Sequence, residues 1–166
     1  MKTIVLTGMM GSGKTSIGKL LAKKFNLQFA DIDNLIEQQE NMSISEIFTL
    51  KGEEYFRNIE KIIIINIFKN SDMVIALGGG AFENKQTRNF LLQNASVIYL
   101  QTEPETIFHR LTNDNTRPLL CGNMSIEKIN EIIEQRKQNY ESASFLINTD
   151  NKKPTAIVEE ITGVLK

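Results

Sequence analysis

The 166-residue chain is poor in the features that mark secreted, membrane-spanning or nucleic-acid-binding proteins. It has a single cysteine, Cys121, so no internal disulfide can form, which fits a reducing cytoplasm. With no base nearby in sequence, Cys121 reads as an incidental loop thiol. Nineteen basic against twenty acidic residues leave a formal net charge of −1, with lysines spread along the chain. There is thus no basic stripe to track a phosphate backbone, and nucleic acid is not expected as a partner. No apolar run reaches the ~20 residues a membrane helix needs. A first strand already under way at residue 3 leaves no room for a signal peptide, so a cytoplasmic protein with no membrane partner is expected. The lone histidine, His109, has no other His or Cys near it and is not read as a metal ligand.

Low complexity, repeats and linkers are also missing, so residues 1–166 read as one domain, long enough to bury a core without staples. No long exposed apolar stretch demands a partner, which leaves a monomer as the default. Two further absences narrow the chemistry. The guanine-reading N-K-x-D element has its nearest match in Asn151-Lys152-Lys153-Pro154, where Pro stands in place of the carboxylate, so a GTPase switch is not supported. No apolar strand ends in an Asp of the Walker-B kind, because Met73–Leu77 runs straight into glycine.

What is present begins with Gly8-Met9-Met10-Gly11-Ser12-Gly13-Lys14-Thr15, which matches G-x-x-x-x-G-K-[ST] at every fixed position. The β-branched run Thr3–Thr7 precedes it as a strand, and Ser16–Phe25 follows as a helix with Ile17, Leu20, Leu21 and Phe25 on one face. Glycines at Gly11 and Gly13 let the backbone turn tightly. Successive N–H groups from Ser12 to Ser16, with the positive end of the helix, then point into one hollow that suits phosphate oxygens. Lys14 would reach the β- and γ-phosphates and the Thr15 hydroxyl would ligate Mg²⁺. These residues predict binding of a nucleoside triphosphate. Met9 and Met10 read as packing.

Along the rest of the chain strands and helices alternate. Leu27–Ala30 predict a short strand ending at Asp31-Ile32-Asp33, and Asn34–Glu40 the next helix. Ser43-Ile44-Ser45-Glu46 is a capping box that starts a helical region to about Lys69, with the Ile62–Ile65 run read as buried helix. Met73–Leu77 is an uninterrupted apolar strand ending at Gly78-Gly79-Gly80. Helix (84–93), strand (96–100) and helix (104–111) follow. A polar segment from Thr112 comes next and contains Arg117-Pro118. A helix capped by Ser125 to about Glu141, a strand at 145–148 and a helix opened by Pro154 complete the chain. The pattern predicts a three-layer α/β sandwich with a central parallel sheet, in which ligands sit at the carboxyl ends of the strands. Gly8–Thr15, Asp31/Asp33 and Gly78–Gly80 should therefore converge. Read as an extended pair two residues apart, Asp31 and Asp33 would point the same way, one to the metal and one to an acceptor hydroxyl.

The set Gly8-x-x-Gly11-x-Gly13-Lys14-Thr15, Asp31-x-Asp33, Phe56-Arg57-x-x-Glu60, Gly78-Gly79-Gly80, Arg117-Pro118-Leu119-Leu120 and Arg136-x-x-x-Tyr140 resembles the shikimate kinase family in order and spacing, from about residue 2 to residue 148. The resemblance implies a nucleoside-monophosphate-kinase-like P-loop fold and transfer of the ATP γ-phosphate to the 3-hydroxyl of shikimate, a step of aromatic amino acid (chorismate) biosynthesis. It implies an acceptor-binding helical region at about 33–69 and a lid at about 112–124. Lys14, Asp33 and Arg117 would be catalytic, and Asp31 would hold Mg²⁺ through a water. Asp33, Arg57, Gly79, Gly80 and Arg136 would bind shikimate, the two arginines gripping its carboxylate and the glycines letting backbone N–H groups approach. Arg110 would pack against the adenine with Pro154 on its other side, and Glu60 would partner an arginine; Tyr140 reads equally as core or site. Gluconate kinase and a nucleoside-monophosphate kinase are the rivals on the same scaffold. A regulatory module that had lost catalysis would predict decay at Lys14, Asp33 or Arg117, and all three are present.

Overall fold

The computed structural model describes residues 3–69, 72–112 and 125–166. Strands β1 (Thr3–Thr7), β2 (Gln28–Asp31), β3 (Met73–Ala76), β4 (Ala95–Gln101) and β5 (Phe145–Asn148) form one sheet in the order β2-β3-β1-β4-β5. Every pairing is parallel, with Leu6 opposite Ala76, Thr7 opposite Tyr99 and Asp31 opposite Ala76. The helices are α1 (Lys14–Phe25), α2 (Ile32–Glu40), α3 (Ile44–Ile67), α4 (Lys85–Asn94), α5 (Pro104–Thr112), α6 (Ile126–Tyr140) and α7 (Pro154–Val164), with a 3₁₀ turn at Ala81–Glu83. After β1 the chain runs outward to β2, and it later crosses to the other side at β4. The carboxyl ends of β1, β2 and β3 thus open onto one crevice.

The central strands are buried on both faces, and their alternation splits the core in two. Ile4, Leu6, Val74 and Ile98 pack against Ile17 and Leu21 of α1 and Ile157 and Ile161 of α7. Val5, Ile75 and Val97 pack on the opposite face against Phe56, Ile59 and Ile63 of α3, Leu91 of α4 and Tyr140. Each such fully buried side chain contributes roughly 1.5–3 kcal/mol. A smaller cluster of Met9, Ile107, Leu111 and Ile129 seats the phosphate loop on α5 and α6.

The isoleucine run behaves as helix: Ile63 and Ile64 are buried while Ile62 and Ile65 are exposed, a pairing of neighbours that a two-residue period cannot give. Ser43 and Glu46 form the capping box, with the Ser43 N–H donating to Glu46 at 2.8 Å. That hydrogen bonding holds the Glu46 carboxyl below its usual range. The helical region is not continuous, however. Gly52 has φ +82° and ψ 167°, a conformation open only to glycine, and it breaks α3 in two. Beyond the kink Phe56, Ile59 and Glu60 are buried.

Candidate active site

The loop between β1 and α1 is shaped by its glycines, with Gly11 at φ +77° and Gly13 at φ +95°. Ser12 is fully buried: its N–H donates to the Met9 carbonyl at 3.2 Å, and its hydroxyl is sealed inside. Helix α1 starts at Lys14 with no side-chain cap and no acidic residue of its own in its first turn. Lys14 arches back over the loop and donates to the Gly8 and Met9 carbonyls, each at 2.9 Å. A second cation reaches the same loop from α5, where Arg110 donates to the Gly11 carbonyl at 3.1 Å. In this structure Arg110 therefore rests on the loop itself. Pro154, its expected partner around an adenine, is exposed at the first position of α7.

Asp31 ends β2 and does two things there. One oxygen accepts from the Thr15 hydroxyl at 2.7 Å, and the other caps α2 through the Asn34 N–H. Asp33 is not the second residue of an extended pair, as the sequence suggested; it lies in the first turn of α2. The chain turns helical immediately after Asp31 because Asp31 supplies the cap. The convergence survives this correction, since Asp31 and Asp33 both line a cavity of about 280 Å³ with Gly11, Gly13, Lys14, Thr15, Ser16, Gly79 and Arg110. A larger hollow of about 860 Å³ lies along β2, between Lys19, Gln38 and Asn66, where amides and apolar side chains dominate.

Across the cavity the glycine turn after β3 is packed by charge. A Cβ on Gly78 would fall 2.5 Å from Asp33 Oδ1 and 3.0 Å from Glu60 Oε1; one on Gly80 would fall 2.6 Å from Arg57 Nη2. At Gly79 the nearest atoms are Met10 N at 3.7 Å and Arg136 Nη1 at 3.8 Å, an ordinary contact. None of the three adopts a positive φ. The space that a Cβ on Gly80 would take is thus held by Arg57. Gly78, which sequence reasoning had not singled out as a site residue, is the most crowded of the three.

Arg57 Nη1 pairs with Glu60 Oε2 at 2.8 Å, as expected of Glu60, with Glu53 further away at 3.5 Å. Glu60 is almost fully buried and its Oε1 has no hydrogen-bond partner. Burial pushes its carboxyl above the usual range, Arg57 offsets part of that, and the Asp33 charge adds to it. Arg136 Nη1 donates to the Gly79 carbonyl at 2.7 Å, and Tyr140, one turn on, donates to the same oxygen at 2.8 Å. Tyr140 is also core: it is fully buried and its ring stacks on Tyr99 at 4.8 Å between centroids. Asn139 Nδ2 donates to Glu83 Oε2 at 2.8 Å, tying α6 to the 3₁₀ turn, and neither residue carried a sequence signal. Arg117, Cys121 and most of the expected lid, residues 113–124, lie outside the described residues.

The site thus offers cations and main-chain donors at one end, two carboxylates in the middle, and two guanidiniums flanking a glycine turn at the other. The family model for shikimate kinase matches residues 10–166. The chain belongs to the shikimate kinase family. A shikimate kinase from Sulfurihydrogenibium sp. (strain YO3AOP1) is 45% identical over 166 residues, covering 100% of this chain and 99% of the relative. Among solved structures, shikimate kinase from Acinetobacter baumannii in complex with shikimate superposes with a TM-score of 0.92 at 32% identity, covering 99% of this chain and 93% of that one. A gluconokinase from Sinorhizobium meliloti 1021 reaches a TM-score of only 0.61 at 16% identity over 99% of this chain and 91% of that one, a likeness of fold alone. Members of the shikimate kinase family are ATP-dependent kinases.

Proposed function

We propose that this protein transfers the γ-phosphate of ATP to the 3-hydroxyl of shikimate, giving shikimate 3-phosphate and ADP. The observation that carries this reading is the meeting of Asp33, Arg57 and Arg136 around Gly78–Gly80, facing the phosphate loop. A small alcohol with a carboxylate fits such a pocket. The guanidiniums grip its carboxylate and Asp33 accepts its hydroxyl proton. As the substrate O–P bond forms, the bond from the γ-phosphorus to the bridging oxygen breaks and ADP leaves with that electron pair.

Lys14 would exchange its two carbonyl partners for the β- and γ-oxygens, and the N–H groups of the loop and of the start of α1 would hold the remaining charge. The Thr15 hydroxyl and Asp31 carboxylate, 2.7 Å apart, are hard oxygen donors suited to Mg²⁺. Among the described residues no cluster of three or more His, Cys, Asp or Glu could hold a metal. Thr15 would be a direct ligand of the ion and Asp31 would hold one of its waters, with the nucleotide phosphates supplying other oxygens. When bound, Mg²⁺ would neutralise phosphate charge during transfer. Arg117 is assigned to the transferring phosphoryl group on the family's pattern.

The chain is read as one kinase domain, 1–166, with acceptor helices at about 33–69 and a closing segment at about 112–124. It is read as a cytoplasmic monomer that engages neither nucleic acid nor membrane. Among the described residues no helix is long and apolar enough to cross a membrane.

ADP release by the purified protein with Mg-ATP, offered shikimate, gluconate, AMP or no acceptor in parallel, tests the reading. Turnover with shikimate alone is expected. Turnover with gluconate or AMP instead would keep the phosphate loop and reassign Arg57, Arg136 and the glycine turn.

A further inference from the structure

Two side chains of α6, Arg136 and Tyr140, donate to one oxygen, the carbonyl of Gly79, at 2.7 and 2.8 Å. One donor suffices to satisfy a carbonyl in a partly closed cleft. The two donors differ in freedom. The Tyr140 hydroxyl is fixed by a ring that is fully buried and stacked on Tyr99. Burial also pushes its phenol above the usual range, so it stays a donor throughout the neutral range. The Arg136 guanidinium ends a flexible side chain on a half-buried stretch of helix. The helix that carries both is independently tied to the turn by the Asn139–Glu83 bond, and Arg88 fixes the turn's far end by donating to the Phe82 and Glu83 carbonyls at 2.9 and 3.1 Å.

We propose that Tyr140 is a positioning residue: its hydroxyl keeps hold of the Gly79 carbonyl when Arg136 leaves that oxygen to grip the carboxylate of the acceptor. The inference rests on the acceptor assigned above. The Tyr140 hydroxyl lets Arg136 leave without stranding an acceptor, so binding the substrate does not cost the carbonyl its partner. Without it, Gly79 and the substrate carboxylate compete for one guanidinium.

The test is a double-mutant cycle on kcat/KM for shikimate, with Tyr140→Phe, Arg136→Ala and the pair, each checked for ATP KM and thermal midpoint. Phe keeps the ring and its stacking, so folding is retained. Tyr140→Phe alone should lower kcat/KM for shikimate about tenfold, the scale of one lost hydrogen bond to a partly enclosed acceptor, with ATP KM within about twofold. In the Arg136→Ala background no guanidinium has to leave, and the same change should cost less than about twofold. Additive losses would overturn the proposal, as would a lowered midpoint with unchanged kcat/KM for shikimate. Absence of shikimate turnover in the unsubstituted protein would instead overturn the acceptor assignment, a separable failure.

Discussion

At the phosphate end of the cleft the converging groups are main-chain N–H groups and Lys14, within residues 8–16, shaped by two left-handed glycines and an uncapped helix, with Arg110 of α5 reaching them from far along the chain. At the acceptor end they are side chains brought from α2, α3 and α6 to the turn after β3, more than a hundred residues apart in sequence from Asp33 to Arg136. The first end is a local object: a short motif dictates its geometry wherever a strand feeds a helix. The second exists only once the sheet order has put β3 between β1 and β2. The two also differ in how they hold charge without ligand. Lys14 rests on carbonyls of its own loop, whereas Arg57 rests on the buried carboxylate of Glu60. Loss at the phosphate end should therefore strike the chemical step, and loss at the acceptor end should strike affinity for one substrate.

The largest expected effect is at Lys14. Lys14→Ala should lower kcat by about 10²–10³, because a cation aimed at developing charge is lost, while the thermal midpoint stays near that of the parent. Steady-state ADP release with saturating shikimate reads this out. A loss confined to shikimate KM would break the division between the two ends.

Next in size is a pair of substitutions in the glycine turn. Gly80→Ala places a methyl group where the Arg57 guanidinium now sits, 2.6 Å away, and should raise shikimate KM about tenfold by displacing that flexible side chain. Gly79→Ala meets nothing closer than 3.7 Å in the free protein, so it should fold with an unchanged midpoint. Any loss of shikimate affinity it shows then measures how closely the substrate approaches that backbone. A destabilised Gly79→Ala protein would show that the turn is held for folding and not for binding.

The smallest effect concerns Glu60 and stability. Its carboxyl is raised above the ordinary 4.5 in the folded protein, mainly by burial. Below 4.5 it is protonated in both states and its contribution is fully present; as pH rises, the unfolded chain releases the proton first, so that contribution is lost up to the folded pKa. Glu46 works in the opposite sense: its carboxyl is held low, and its contribution is lost as pH falls. Thermal midpoints from pH 4 upward should show Glu60→Gln lacking the downward slope that the parent carries just above 4.5. Parallel curves would mean that Arg57 neutralises Glu60 completely.

The difference between the two ends also explains what could be read from the sequence. The alternation of β-branched runs with amphipathic helices was enough for the parallel sheet, and Ser43 with Glu46 placed the start of α3. The break at Gly52 was not legible, because a lone glycine in a helical pattern does not announce φ +82°, and nothing packs near it to demand one. Asp33 was read as extended because the capping role of Asp31 starts α2 two residues early. At the site, the resemblance implied that Glu60 partners an arginine, and Arg57, three residues before it on the same helix, is that arginine. The crowding of Gly78 by Asp33 and Glu60, the shared hold on the Gly79 carbonyl and the Asn139–Glu83 tie are tertiary contacts, and no local pattern encodes them.

The most direct measurement is calorimetric titration of Mg-ATP and, separately, of shikimate into the parent protein and Arg57→Ala. A guanidinium that serves only the acceptor carboxylate should leave ATP affinity within about twofold while shikimate affinity falls about a hundredfold, the scale of a lost charge-assisted bidentate contact. Equal loss for both ligands would contradict the assignment of α3 and the glycine turn to the acceptor, and with it the separation of the two ends of the cleft.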